Sequence, residues 1–127
     1  MRFLMLYKPA DTKAAEAGVP PSQPELARMG KLIEEGFKSG VLLATEGCQP
    51  TSKGARVRLS GGKVMVTDGP FTESKELIAG LAIVQVRSKE EAIEEAKRFL
   101  GVAGDGVSEI RQLHEASDFG PQSAPGR

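Results

Sequence analysis

Potentially reactive side chains are concentrated in one stretch of this sequence, residues 67–80 (TDGPFTESKELIAG). Three carboxylates and one amine fall within nine residues there, namely Asp68, Glu73, Lys75 and Glu76. Carboxylates held near a cation and an apolar wall such as Phe71 can have shifted pKa values and act as acid, base or ligand-orienting groups. We therefore predict that Asp68 serves as the acid or base and that Glu73 or Glu76 orients it. Lys75 would neutralise these carboxylates or hold an anionic substrate.

A purely structural interpretation of Asp68 stays open. Gly69 tolerates unusual backbone angles and Pro70 fixes φ, so the pair imposes a bend after an apolar strand. An Asp that enters such a turn commonly accepts hydrogen bonds from backbone N–H groups one to three residues ahead, here those of Phe71 or Thr72. Asp68 can therefore be a reactive group or simply a turn former.

Further candidates stand near the ends of predicted strands. Glu46 follows the second strand and can face the same cleft as Asp68, although a charge at a strand end is more often solvated. Cys48 has no neighbouring His or cation, which indicates an inert, buried or half-buried residue. His114, beside the last strand, is more typical of a surface or packing residue than of a reactive one. With one Cys and one His in the chain, we predict no metal site.

The segment VTDGPFTESKE, residues 66–76, resembles the DGPF signature of the YCII-related family. The likeness extends to residues 47–50 (GCQP), to the first strand and to residues 118–120 (DFG), and so covers nearly the whole chain. The resemblance implies a ferredoxin-like α+β subunit that pairs into a dimeric α/β barrel, with a ligand cleft near the signature. Around that cleft we expect the ligand-binding residues Tyr7, Glu46, Gly69, Pro70, Phe71 and Glu76.

The sequence departs from the family pattern in two places. Relatives often carry a histidine on the first strand, proposed to work with an Asp, whereas Tyr7 and Lys8 end that strand here. Relatives also often have Gly-Gly and aromatic residues after the signature, where this chain has AGLA at residues 79–82. The resemblance therefore supplies neither a His-Asp pair nor an aromatic wall.

Length and charge narrow the classes of function. The 127 residues, 39% of them hydrophobic, fit one domain, which we place at residues 1–119 with a tail at 120–127. Seventeen basic and seventeen acidic residues give no net charge, so nucleic acid and anionic membranes are not expected partners. No segment suits a signal peptide or a spanning helix, and we expect a cytoplasmic protein. No Gly-rich phosphate loop opens a helix, so no nucleotide, flavin or other cofactor is predicted.

The apolar pattern predicts the order strand, helix, strand, hairpin, strand, helix, strand. Ser22 and Ser88 each open a helix as part of a capping box, and Gly40 and Gly101 are the expected helix ends. The first helix should bury Leu26, Met29, Ile33 and Phe37. Residues 8–21 read as a loop, and residues 77–86 as one long strand with a bulge or a close approach at Gly80. Two βαβ-like halves with an inserted hairpin favour a ferredoxin-like sheet of the α+β class.

The apolar pattern also predicts self-association. The strands FLMLY (residues 3–7) and LIAGLAIVQV (residues 77–86) are apolar on both faces, while two helices can cover only one face of the sheet. The economical cover for the other face is a second copy related by a two-fold axis. We expect a homodimer.

Three classes of function are compatible with these residues. The first is an enzyme acting on a small molecule, in which Asp68 is the acid or base. The second is a binding module that holds a small molecule without turning it over, in which Lys75 and Glu76 can be an ordinary surface pair. The third is an interaction or regulatory protein, because the resemblance implies genetic association with extracytoplasmic-function sigma factors. The residues favour the first two classes without separating them.

Overall fold

A computed structural model describes residues 1–71 and 77–120. In these residues the strands are β1 (Arg2–Pro9), β2 (Leu42–Gly47), β3 (Ala55–Ser60), β4 (Lys63–Asp68), β5 (Gly80–Gln85) and β6 (Gly106–Gln112). The α-helices are α1 (Thr12–Glu16), α2 (Gln23–Ser39) and α3 (Lys89–Ala103), and short 3₁₀ turns span Thr51–Lys53 and Ala116–Phe119. The mixed α+β class is confirmed. No helix in the described part of the chain is long and apolar enough to cross a membrane.

Four strands form one antiparallel sheet in the order β2-β5-β1-β6. Strand β5 lies between β1 and β2, which α2 connects, and β1 lies between β5 and β6, which α3 connects. The two βαβ units are therefore split and interleaved, as the sequence pattern predicts. Strands β3 and β4 pair only with each other and form the inserted hairpin.

The core lies on the face of the sheet that the helices cover. Phe3 and Met5 of β1 pack with Val84 and Val86 and with Ala92 and Ala96 of α3 in one buried cluster. Because side chains alternate along a strand, Leu4 and Leu6 of β1, with their β5 neighbours Leu81 and Ile83, point to the opposite side. We call these four half-buried residues the open sheet face.

The predicted helix starts are correct, although each capping box is only half formed. The Ser22 hydroxyl accepts from the Glu25 amide at 3.3 Å, and the Ser88 hydroxyl accepts from the Glu91 amide at 3.2 Å. The Glu25 carboxylate instead accepts from the Ser22 hydroxyl, and that of Glu91 accepts from the Arg87 amide. Both helices nevertheless begin with a satisfied N-cap.

Helix α2 is less buried than its apolar pattern predicts. Leu26 and Phe37 are 46% and 49% exposed, and no residue of α2 is buried. The helix approaches the sheet closely at Gly36, where an added Cβ would lie 2.8 Å from the Cβ of Leu42. Along its N-terminal half, Leu26 and Met29 line a cavity above the sheet. The prediction that all four apolar residues are core is therefore wrong.

Three predicted boundaries are also wrong. Helix α3 continues through Gly101 to Ala103 and is followed by Gly104 at φ 97°, because Val102 and Ala103 still face the cavity beside α2. Strand β5 begins at Gly80, after Ala79 has donated its amide to the Tyr7 carbonyl at 2.8 Å. At Gly80 the expected close approach is confirmed, since an added Cβ would lie 3.2 Å from the Glu46 carbonyl oxygen, and the bulge lies instead in β2, between Leu42 and Ala44. Residues 8–21 contain the short helix α1.

Substitution of two glycines in α2 tests how the helix meets the sheet. Gly36→Ala should lower the free energy of unfolding by about 1–3 kcal/mol, because the new Cβ overlaps Leu42. Gly30→Ala is the matched control: nothing lies within 4 Å of its added Cβ, so helix propensity alone should stabilise the protein by about 0.5–1 kcal/mol. Urea unfolding measures both effects, and equal stabilisation by the two changes would contradict the close approach.

Candidate functional site

The signature borders an open cleft of about 660 Å³. Helix α1, the 3₁₀ turn after β2, the start of β3 and Phe71 form its walls. Apolar side chains, including Pro50, Leu77 and Ile78, share the lining with the cations of Lys13, Lys53 and Arg56. We call this space the signature cleft.

Thr51 joins the walls of the signature cleft. Its amide donates to the Glu16 carboxylate at 2.9 Å, and its hydroxyl donates to the other oxygen of the same carboxylate. The same hydroxyl accepts from the Phe71 amide at 3.0 Å. The two hydrogen bonds from Thr51 lower the pKa of Glu16, because they stabilise its ionised form. The Phe71 amide is thus bound by Thr51 and not by Asp68, and Thr72, whose amide the turn interpretation gave as the other donor, lies outside the described residues.

Gly69 and Pro70 bring the signature against the 3₁₀ turn. The Gly69 amide donates to the Gly54 carbonyl at 3.0 Å, and the peptide bond between Gly69 and Pro70 is cis. A Cβ added at Gly69 would collide with the carbonyl oxygen of Thr51, so only glycine fits this contact. Beside it, the Arg56 guanidinium lies 4.0 Å from the centre of the Phe71 ring, a cation–π distance.

The other signature residues occupy different positions around the cleft. Asp68 is exposed at the end of β4, where it pairs with Ala55, a residue that lines the cleft. Asp68 itself lines neither this cleft nor the cavity described below. The predicted residues Glu73, Lys75 and Glu76 lie outside the described residues.

A second space of about 350 Å³ lies between α2, α3 and the helix-covered side of the sheet. We call it the sheet–helix cavity. Apolar side chains dominate its lining, among them Leu26, Met29, Ile33, Phe99 and Val102. Its polar members include Tyr7 and Glu46, which the sequence analysis assigned to the same cleft as Phe71. The predicted site is therefore divided between two spaces.

Tyr7 is the best-anchored polar group of the sheet–helix cavity. Its hydroxyl donates to the Asp105 carbonyl at 3.2 Å, and its ring packs edge-on against Phe99 with centroids 5.1 Å apart. Burial, and secondarily the negative charge of Asp105, raise the pKa of Tyr7 above its ordinary value of 10.0. The side chain is thus a neutral phenol at physiological pH whose oxygen can still accept a hydrogen bond.

Sequence reasoning missed Glu16 and Thr51 and misplaced Cys48. The Asp11 side chain caps α1 by accepting from the Ala14 amide at 3.0 Å, and this N-cap pattern was the available signal for a helix carrying Glu16. Cys48 is exposed and lines the signature cleft, because the chain leaves the sheet at Gly47. His114 lies at the surface, 3.6 Å from the Asp118 carboxylate.

Changing Gly69 tests the close approach of the signature to the 3₁₀ turn. Gly69→Ala should lower the free energy of unfolding by about 1–3 kcal/mol, because the Thr51 backbone cannot move aside as a flexible side chain would. Gly54→Ala is the control, since its Cβ would lie 3.6 Å from the same carbonyl oxygen, an ordinary contact. Thermal unfolding of both variants makes the comparison, and an unaffected Gly69→Ala protein would contradict the contact.

The hydroxyl of Thr51 can be tested through the titration of Glu16. Thr51→Val removes the hydroxyl, so the pKa of Glu16 should rise towards its ordinary value of 4.5, whereas Thr51→Ser should keep it low. In the wild-type protein, this lowered pKa contributes stability that is present above pH 4.5 and is lost as the pH falls through the lowered pKa. Carboxyl ¹³C NMR titration follows Glu16 directly, and identical curves for the Val and Ser variants would refute the assignment.

Comparison with known proteins gives a domain family, a curated protein and, among solved structures, an enzyme that are similar to this chain. The YCII-related domain matches residues 1–117. An uncharacterized protein of Rhizobium meliloti (strain 1021) is 40% identical over 65 residues, which are 50% of this chain and 52% of that protein, so the match spans about half of its length. A similar solved structure is that of 5-chloro-2-hydroxyhydroquinone dehydrochlorinase (TftG) from Burkholderia phenoliruptrix AC1100, in complex with 2,5-dihydroxybenzoquinone. The TM-score is 0.46 and the sequence identity is 12%, and the match covers 93% of this chain and 98% of that chain. Since the domain match covers nearly the whole sequence, the chain belongs to the YCII-related family.

Proposed function

We propose that this YCII-related protein binds or transforms a small molecule, and that the sheet–helix cavity is the binding site. The observation that carries the proposal is the unfilled space under α2. Leu26, Met29 and Ile33 form the apolar face of this helix, yet they line a cavity of about 350 Å³. That volume is within the range of small-molecule sites, and a predominantly apolar lining with few polar groups is typical of them.

The lining also indicates which molecule would fit. The Tyr7 oxygen and the Thr45 hydroxyl, which donates to the Leu81 carbonyl at 3.1 Å, can each accept a hydrogen bond. The carboxylate of Glu25 adds a negative charge at the lining and would disfavour an anionic ligand. We expect a mainly apolar, uncharged molecule with one donor group.

Acid/base chemistry beside the signature cleft is a second candidate, and it keeps Asp68, which pairs with the cleft residue Ala55, as the central polar group. The Thr51 hydrogen bonds that fix Phe71 favour it, because a held loop keeps neighbouring reactive groups in place. In this candidate Glu73 or Glu76 orients Asp68, Lys75 neutralises the carboxylates, and Gly69 with Pro70 shapes the turn. As part of this second candidate we also propose that the chain is a member of the DGPF subgroup of the family.

We also propose that the protein is a two-fold homodimer of the dimeric α/β barrel type. Leu4, Leu6, Leu81 and Ile83 of the open sheet face support this, because the helices cover only the opposite side of the sheet. A second copy is the economical cover for such a face. The alternative role, an interaction or regulatory protein associated with an extracytoplasmic-function sigma factor, would use an exposed apolar surface for a different partner.

Filling the sheet–helix cavity tests the first candidate. The probe is 2-naphthol, a neutral two-ring phenol, and 2-naphthoate is its charged counterpart. Val102→Phe should weaken 2-naphthol binding at least tenfold, because the larger ring occupies the cavity that Val102 lines. Lys97→Phe, on the exposed side of the same helix, should leave binding unchanged. NMR titration measures the affinities, and preferential binding of the carboxylate or an inert Val102→Phe change would reject the site.

Asp68→Asn separates the two candidates. If the sheet–helix cavity is the site, the substitution should leave 2-naphthol affinity unchanged, because Asp68 does not line that cavity. If the signature cleft performs acid/base chemistry, loss of the carboxyl should lower turnover of a substrate found by metabolite screening by about 10²–10⁴-fold. Parallel binding and turnover assays on the wild type and on Asp68→Asn distinguish the outcomes, and full activity of the variant would exclude Asp68 as the acid or base.

A further inference from the structure

The hairpin formed by β3 and β4 has one continuous apolar face. Across the hairpin Val57 pairs with Val66, and Leu59 pairs with Val64, so the four side chains share one side. Arg58 pairs with Met65 and, with Arg56, lies on the other side. We call the hairpin the β-arm and these four residues its apolar face, with exposures of 71% for Val57, 71% for Leu59, 66% for Val64 and 64% for Val66.

The β-arm needs a cover that residues 1–71 and 77–120 of the subunit do not supply. Every residue of β3 and of β4 is exposed, and neither strand pairs with the four-stranded sheet. A two-stranded hairpin is marginally stable at best unless its apolar face packs on something. Polar and apolar residues alternate along β3, which indicates a ribbon with one face made for burial, and β4 departs from this alternation at Met65.

We propose that the apolar face of the β-arm packs on a second copy of this chain. Burying a Val or Leu is worth about 1.5–3 kcal/mol at about 25 cal/mol per Å², which corresponds to roughly 60–120 Å² per side chain. Four such residues on each arm, together with the surface that receives them, would give about 500–1,000 Å² per partner when both arms engage. A specific interface needs about 800 Å² per partner, so two reciprocal arms are of the right size.

A second copy also offers the complementary surface. The open sheet face presents four apolar side chains, which the sheet and the arm of the second copy would cover jointly. The Lys8–Glu109 pair and the Arg111–Glu109 pair lie on the same side of the sheet. The formal net charge of zero means that two copies do not repel each other over long range. This inference rests on the proposed homodimer and assigns the element that makes its contact.

The contact would also complete the signature cleft. Strand β3 begins in the cleft, where Ala55 and Arg56 line it, and β4 ends at Asp68. Because the Arg56 guanidinium stacks on Phe71, the position of the arm sets one wall of the cleft. A second copy that binds the arm would therefore also fix the position of that wall of the signature cleft.

The test changes the two faces of the arm separately. Leu59→Glu places a charge on the apolar face and should raise the dimer dissociation constant at least 100-fold, as should Val57→Lys. Met65→Glu introduces the same charge on the opposite face of the arm, at a residue that is also exposed (58%), and should leave dimerisation unchanged. Sedimentation velocity over a concentration series gives the constants. Circular dichroism and urea unfolding establish that each variant is folded, as expected for residues outside the core.

Each outcome of this experiment is decisive. A wild-type protein that stays monomeric at high micromolar concentration overturns both the homodimer and the role of the arm. Dimerisation that survives Leu59→Glu and Val57→Lys leaves the homodimer standing and overturns the arm contact, which would then serve a different protein. Equal dissociation by Met65→Glu also overturns it, because the effect would not depend on the apolar face. Dissociation by the first two variants alone supports it.

Discussion

The signature cleft depends on the hydrogen bonds of a single threonine. Thr51 binds Glu16, which lies 35 residues before it, and Phe71, which lies 20 residues after it. Because the Glu16 carboxylate accepts these bonds, the five-residue helix α1 is held against the 3₁₀ turn, while Asp11 caps its N-terminus. Without the Thr51 hydroxyl, helix α1 and the signature would have no side-chain bridge through this turn. The cation of Arg56 could still stack on Phe71, but the ring would lack its backbone anchor.

The helix-covered side of the sheet has two ends with different packing. At one end Phe3 and Val84 are almost completely buried beneath α3. At the other end Tyr7 and Ala82 face the sheet–helix cavity, and the helices stand apart. Close packing at one end supplies the stability that lets the other end remain open, since an unfilled cavity costs stability. A rigid sheet that holds its polar groups at the open end suits a binding site.

Much of the fold could be predicted because its signals are local. Ser22 and Ser88 cap their helices through bonds that span three residues, and alternating side chains identify the hairpin. The site could be predicted only in part, because its decisive contacts are not local. The partner of the Phe71 amide is 20 residues away, and no rule of turn chemistry selects Thr51 over Asp68. The division of Tyr7 and Phe71 between two spaces likewise depends on how α2 stands above the sheet.

Large apolar residues of this chain lie on exposed surfaces as well as in the core. Helix α2 exposes Leu26, and the β-arm exposes Val57 and Leu59, although all three positions follow the periodicity of buried residues. Hydrophobic periodicity reports which face a segment will bury, and it does not report whether the cover comes from the same subunit. We propose a small molecule as the cover for α2 and a second copy of the chain as the cover for the arm. The arm also forms a wall of the signature cleft, which is separate from the cavity under α2, so the two uncovered faces belong to two different parts of the molecule.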